Sequence, residues 1–228
     1  MYVNVSTWLK NYVRTAPATA VIVAICVIAW VITAIQSKSI QASFFNSSLA
    51  DAWTLWGPYI DTETWRLSAV MTSLFMHMTA THLVVNMLLL VFVGREIERF
   101  LGTGRYVAVY LAGGLASSAS VLALSFDSAT IGASGAIYAL LVILVAVYRA
   151  RGLSLRAPIF FVAVNLAYTV ADSFMAHEVS LWGHIGGLVG GLVMLPFAWR
   201  GDRAGWGAGL VVLLAATTIA LSIHPSWG

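Results

Sequence analysis

The sequence predicts an all-α protein, a polytopic bundle of membrane-spanning helices with no sizeable soluble domain. Hydrophobic residues fill 60% of the 228 positions and charged residues only 9%, where a soluble domain carries about 25% charged. Mean hydropathy is +0.88. The apolar residues also fall in long runs, each close to the roughly 20 residues that cross a bilayer. Their even spread favours one bundle, a single domain over 1–228.

Seven runs are predicted as helices, at 16–35, 79–93, 106–125, 134–148, 157–173, 181–199 and 205–223. The core thus covers about 16–200, and an additional C-terminal helix about 205–223. The first run is long enough to span and lacks a small-residue cleavage site, so it reads as a span and not as a signal peptide. Apolar character before the second run begins at Leu67. That helix either starts early or follows an interfacial segment over 67–78. The fourth and fifth runs are short, which suits helices enclosed by others. Pro17, Pro158 and Pro225 fall at or near helix ends, where proline is tolerated. Cys26 stands alone inside an apolar run, so it forms no intramolecular disulfide and reads as a core thiol.

The basic residues orient the bundle. With the N-terminus in the cytoplasm, Lys10, Arg14, Arg95, Arg99, Arg105, Arg149, Arg151, Arg156, Arg200 and Arg203 all lie inside, and only Lys38 and Arg66 outside. This distribution follows topology. It forms no basic patch, so the net charge of +3 does not imply nucleic-acid binding. The segment 36–64 is the one extended polar stretch. Its aromatics Phe44, Phe45, Trp53, Trp56 and Tyr59, with Trp65 just after it, suit either an interfacial anchor or a structured flap on the outer side.

This topology aligns the polar residues that carry chemistry. The second, fourth and sixth runs all pass from outside to inside. His82 and Asn86 open the second, Ser134 the fourth and His184 the sixth, so all four side chains lie at similar depth near the outer face. Polar groups inside a membrane are costly and point to function. Ser134 lies in Gly132-Ala133-Ser134-Gly135. A serine hydroxyl needs an adjacent base to become a nucleophile, and the unpaired N–H groups of a helix start would meet an oxyanion formed by its attack. Gly132 and Gly135 keep the backbone bare for close approach of a substrate. His184 begins a helix in which Gly187 and Gly191 share its face. Faces of small residues bring membrane helices close together, as a serine–histidine hydrogen bond requires. Tyr138, four residues after Ser134, shares its face and is placed to stack on the imidazole. His82 and Asn86 share one face and carry N–H donors suited to an oxyanion. Three histidines near one mouth (His77, His82 and His184) raise the question of a metal, but the spacing is not HExxH and no acidic residue shares the face. No Asp is placed to complete a triad, so a Ser–His pair held by packing is the simpler reading.

In order and spacing, Trp65-Arg66, His77 with His82 and Asn86, Glu98 and Gly102, the GxSG around Ser134, Tyr138, and His184 with Gly187 and Gly191 resemble the rhomboid family of intramembrane serine proteases. The resemblance covers about 65–191. It implies a six-helix core, Ser134 as nucleophile, His184 as general base, and an oxyanion hole made by His82, Asn86 and the Ser134 backbone N–H. It implies that Trp65-Arg66 builds the first outer loop and that Glu98 and Gly102 stabilise the cytoplasmic end. It implies a gate at the fifth helix and the loop after it, over 171–180, with Phe174 and Met175 as plugs. The substrates implied are single-pass transmembrane proteins within the lipid bilayer, with no metal and no organic cofactor. The seventh helix corresponds to a 6+1 arrangement within the family. The rival reading is a catalytically inactive rhomboid-like protein that binds transmembrane clients. A transporter, the more distant rival, would show charged groups deep in the bundle.

Overall fold

The computed structural model describes residues 5–175 and 180–200, with Leu214 and Thr218 beyond them. Among these residues the fold is all-helical. Among the described residues four helices are long and apolar enough to cross a membrane: α2 (Pro17–Ser37), the continuous rod Ala80–Leu101, α8 (Thr103–Leu124) and α11 (Leu181–Arg200). The predicted helix over 205–223 lies outside the described residues, apart from helical Leu214 and Thr218, and so does most of the loop after the fifth predicted helix.

The chain opens with a helix absent from the seven predicted runs, α1 (Val5–Thr15). Its apolar residues Trp8, Leu9, Tyr12 and Val13 make a stripe at helical spacing rather than a continuous run. Tyr12 is buried, and its hydroxyl donates to Val91 O at 2.8 Å. Trp8, Leu9 and Val13 face outward. The helix is amphipathic, with an apolar stripe in place of the continuous apolar run of a span.

The rod Ala80–Leu101 comprises α6 (Ala80–Leu89), one π turn (Leu90–Gly94) and α7 (Arg95–Leu101). It starts at 80 because Thr79 caps it, accepting from the backbone N–H of His82 at 3.1 Å. The apolar stretch before it is a separate segment. Two 3₁₀ turns, Thr64–Ser68 and Ser73–Phe75, flank the short α5 (Ala69–Thr72). Ala69, Val70, Leu74 and Met76 of this segment are buried.

The central layer is α8, α9 (Ser134–Ala150) and α11, packed on one another. Dispersion and shape hold such helices together in lipid, since hydrocarbon removes the hydrophobic drive. Small residues therefore mark the contacts. α9 has 17 residues and is enclosed along most of its length, with Ile137, Leu140, Leu141, Ile143 and Val147 fully covered. The expectation of an enclosed fourth helix holds. The fifth differs: α10 (Arg156–Met175) has 20 residues, and its Phe160 and Tyr168 are 65% and 61% exposed. It packs chiefly against α9 and α11 and leaves its other face outward. A run short in sequence through its interrupting polar residues is thus a full-length peripheral helix.

Each end of the bundle is clamped by one buried charge. At one end Glu98, 2% exposed, accepts from the N–H groups of Ala18 and Thr19 at 2.9 Å each, from Thr19 Oγ1 at 2.7 Å and from Thr103 Oγ1 at 2.9 Å. A carboxyl side chain here caps the N-terminus of α2 from a distant helix, where donors are free and the dipole favours negative charge. The Glu96–Arg151 ion pair, at 2.9 Å, lies at the same end. At the other end Arg66 donates to Asp51 Oδ2 and O at 2.9 Å each and to Glu63 Oε2 at 3.1 Å. Its guanidinium lies over the rings of Tyr59 and Trp65. Around it the segment 36–64 folds into α3 (Ser48–Trp53) and α4 (Gly57–Thr62). Leu55 and Thr130 exchange backbone hydrogen bonds at 3.1 and 2.8 Å, and Gly57 N–H donates to Phe126 O at 3.1 Å. The segment is thus a structured flap tied to the loop before Ser134. Phe45 of the segment and Trp65 just after it face outward, so the anchoring reading applies to these two side chains.

Glu98→Ala leaves four donors without their acceptor and should cost about 3 kcal/mol of stability. Thermal unfolding in detergent checks this. A midpoint equal to that of the wild type would show that the cap carries no weight.

Candidate functional site

Ser134 is the first residue of α9, and a glycine makes that start possible. Gly132 adopts φ +130°, a conformation that favours glycine, and its N–H donates to Ser73 O at 2.9 Å. The chain thereby turns sharply into the helix, and no side chain caps the first N–H groups of α9. A side chain at Gly132 would also meet the His82 ring at 3.0 Å. His82 and Ser134 therefore flank the same glycine.

His184 lies in the first turn of α11 and is buried. Its Nε2 is 2.7 Å from Ser134 Oγ. The contact rests on glycine. A Cβ at Gly187 would overlap the carbonyl group of Gly135, and one at Gly191 would come within 2.7 Å of Ala139 O. On an adjoining face of α11, Gly186 and Gly190 press against Ala116, Ser117 and Gly113 of α8. The four glycines after His184 thus serve two helix contacts, and Gly135 in turn leaves no room for a side chain beside Ser117.

The Tyr138 ring stacks on the His184 imidazole, with centroids 4.2 Å apart and planes at 22°. One residue enters that sequence analysis does not name. Thr169 of α10, fully buried, has its Oγ1 2.7 Å from His184 Nδ1, 2.6 Å from the Tyr138 hydroxyl and 3.0 Å from Asn165 O. The signal for it lies in the sequence: Asn165 and Thr169 are polar, four apart, and on one face of a mostly apolar run. A hydroxyl stands where a triad would carry an Asp.

On α6, the Asn86 side chain is buried and donates from Nδ2 to His82 O at 2.9 Å. This joins it to the group through His82, with its second N–H still to be used. The His77 ring lies edge-on to His82, centroids 5.0 Å apart. The structure thus gathers Ser134, His184, Tyr138, Gly132, Gly135, Gly187, Gly191 and His82, drawn from α6, α9 with the loop before it, and α11, and adds Thr169 from α10. Phe174 and Met175 carry no described side-chain placement. Among the described residues no cluster of His, Cys, Asp or Glu has the makings of a metal site. A cavity of about 540 Å³ lies apart from Ser134, lined by Phe44, Asp51, Trp56 and Tyr59 of the flap. Ser134 itself is half-buried and His82 partly exposed.

Chemically, the arrangement offers a hydroxyl hydrogen-bonded to an imidazole, at a helix start with uncapped N–H groups. That combination suits activation of an oxygen nucleophile and stabilisation of an adjacent oxyanion.

Comparison with known proteins places this geometry in context. A family model described as the Rhomboid domain matches residues 61–201. The chain is 33% identical over 169 residues to the Rhomboid protease GluP of Bacillus subtilis (strain 168), a match covering 71% of this chain and 32% of that protein. It is 25% identical over 192 residues to YdcA of the same organism, covering 81% of this chain and 90% of YdcA. It is 30% identical over 155 residues to RHOMBOID-like protein 2 of Arabidopsis thaliana, covering 62% of this chain and 46% of that protein. The chain thus spans about a third of GluP and about half of the Arabidopsis relative.

Gly187→Ala should force α11 away from α9 and lengthen the Ser134–His184 contact. Labelling of Ser134 by a fluorophosphonate is then expected to slow at least about tenfold, since misplacement by 1 Å is enough for such a loss. Gly104→Ala, where a Cβ meets nothing within 4 Å, is the control and should label like wild type. Equal labelling of both variants would show that the close contact is not required.

Proposed function

The chain belongs to the rhomboid family, and from that premise we propose that it is an intramembrane serine endopeptidase working through a Ser134–His184 dyad. The observation that carries this reading is the 2.7 Å contact between His184 Nε2 and Ser134 Oγ at the start of a buried helix. The substrates proposed are transmembrane segments of single-pass proteins.

His184 takes the Ser134 proton as Oγ attacks the scissile carbonyl carbon. The oxygen of the tetrahedral intermediate becomes negative and meets the Ser134 backbone N–H at the head of α9, with His82 and Asn86 as further donors. His184 then gives the proton to the leaving amine, which frees one product and leaves an acyl ester on Ser134. In the second half His184 takes a proton from water as its oxygen adds to the ester carbon; the bond from that carbon to Ser134 Oγ then breaks, His184 returns the proton to Oγ, and the carboxylic acid product leaves. Tyr138 holds the imidazole plane by stacking. Gly132 and Gly135 keep the approach to Oγ open, and Gly187 and Gly191 hold the base at range. No step calls for a metal or an organic cofactor.

The protein is an integral membrane protein. We further propose a bacterial plasma-membrane location with the N-terminus in the cytoplasm. The split of the basic residues supports this, as does the gathering of Glu96, Arg151 and Arg105 at the end opposite Ser134. The site then opens toward the outer face. One domain is proposed, with the core over about 16–200 and the extra helix over about 205–223.

The test is cleavage of a model single-pass substrate by purified protein in detergent. Ser134→Ala and His184→Ala should each reduce the rate by at least about 10³-fold with folding intact. Asn86→Ala should reduce it about 10²-fold, as loss of one oxyanion donor does. Cleavage that survives both dyad variants would sink the proposal. Folded wild-type protein that captures a single-pass segment without cutting it would favour the client-binding reading.

A further inference from the structure

We propose that Thr169 is a positioning residue for His184, a hydroxyl that sets the imidazole tautomer in place of a carboxylate. The proposal rests on the Ser134–His184 reading above but is decided by a proton position that can be read without activity.

Thr169 Oγ1 has three partners within 3.0 Å: His184 Nδ1 at 2.7 Å, the Tyr138 hydroxyl at 2.6 Å and Asn165 O at 3.0 Å. A threonine hydroxyl has one proton to give and two lone pairs to offer. Asn165 O is a carbonyl and only accepts. If Thr169 donates there, its oxygen can accept from both other partners. Tyr138 then donates its phenolic proton to Thr169, and His184 donates from Nδ1–H. All three contacts become hydrogen bonds, and the hydroxyl is fully used. The opposite arrangement, with Thr169 donating to Nδ1, forfeits the bond to Asn165 O. Thr169 is fully buried, so no water restores it, and buried polar groups favour the fully bonded arrangement.

The consequence falls on the other ring nitrogen. A neutral imidazole carries one proton. With that proton on Nδ1, Nε2 is a bare lone pair facing Ser134 Oγ at 2.7 Å, as a base for that hydroxyl must be. When Nε2 takes the serine proton, Nδ1–H still points at the Thr169 oxygen, so the cation forms without rearrangement. The ring is held on its flat side by Tyr138 and on its edge by Thr169, which leaves it little freedom to rotate. This accounts for a histidine base with no Asp at Nδ1. It also makes α10, the peripheral helix, a contributor to the chemistry.

The test uses full-length protein in detergent with ¹⁵N-labelled histidine. His184 is assigned by comparison with His184→Asn, and two-bond ¹H–¹⁵N correlations report which ring nitrogen carries the proton. Wild type should show the proton on Nδ1. Thr169→Val, which keeps the shape and removes the hydroxyl, should shift the population toward the Nε2–H form. It should lower kcat about tenfold, the worth of one neutral hydrogen bond, with KM unchanged. Thr169→Ser should restore both readouts. A wild-type His184 protonated on Nε2 overturns the proposal by itself, even if Thr169→Val fails to fold. So does a folded Thr169→Val with the wild-type tautomer and kcat. If cleavage proves independent of Ser134, the dyad reading fails while the tautomer measurement still decides the role of Thr169.

Discussion

The site depends on the approach of α9 and α11 to backbone contact. His184 reaches Ser134 only because Gly187 and Gly191 admit the main chain of Gly135 and Ala139 into the space where side chains would stand. In a bilayer this is also how two helices gain from touching. Leu against Leu exchanges one hydrocarbon contact for another, whereas bare backbone against bare backbone gains close packing that lipid tails cannot match. The same glycine stretch serves α8 through Gly186 and Gly190. One run of small residues therefore builds the core and sets the distance between the Ser134 and His184 side chains.

That contact is local, and the remainder of the fold keeps it in register. Glu98 ties the start of α2 to the junction of α7 and α8, bonding main-chain donors at the helix start that no intrahelical carbonyl satisfies. Arg66 gathers Asp51, Glu63, Tyr59 and Trp65 into a compact flap. The Leu55–Thr130 pair passes that rigidity on to the loop entering Ser134. Both charges are largely withdrawn from solvent and surrounded by partners. A buried charge stripped of its partners is strongly destabilising, so these clusters hold as units.

The polar groups around the His184 imidazole are bonded to one another. Ser134, His184, Thr169, Tyr138 and Asn165 O form a continuous hydrogen-bonded set without a carboxylate. An ionised Asp at this depth would carry a heavy desolvation cost. A hydroxyl does the orienting at lower cost, and the aromatic face of Tyr138 restrains the ring without adding a polar atom to be satisfied.

Composition and run length were sufficient to establish the membrane bundle, because spanning hydrocarbon demands apolar residues in long stretches whatever surrounds them. Ser134, His184, Tyr138, His82 and the paired glycines were also legible, since a polar residue or a face of small residues stands out against an apolar background. What the sequence left open depended on partners distant along the chain. The α1 stripe is too polar to read as a span, and its Tyr12 finds Val91 only in the folded state. The outward face of α10 follows from which neighbours it lacks. Thr169 is an ordinary threonine until α10 lies beside α9 and α11, because a hydroxyl declares its role only through the atoms it meets. The sequence by itself determined which residues were available for chemistry in the membrane. The tertiary structure alone decided which atoms of those residues lie within hydrogen-bonding reach, because that is settled by helix packing to within an ångström.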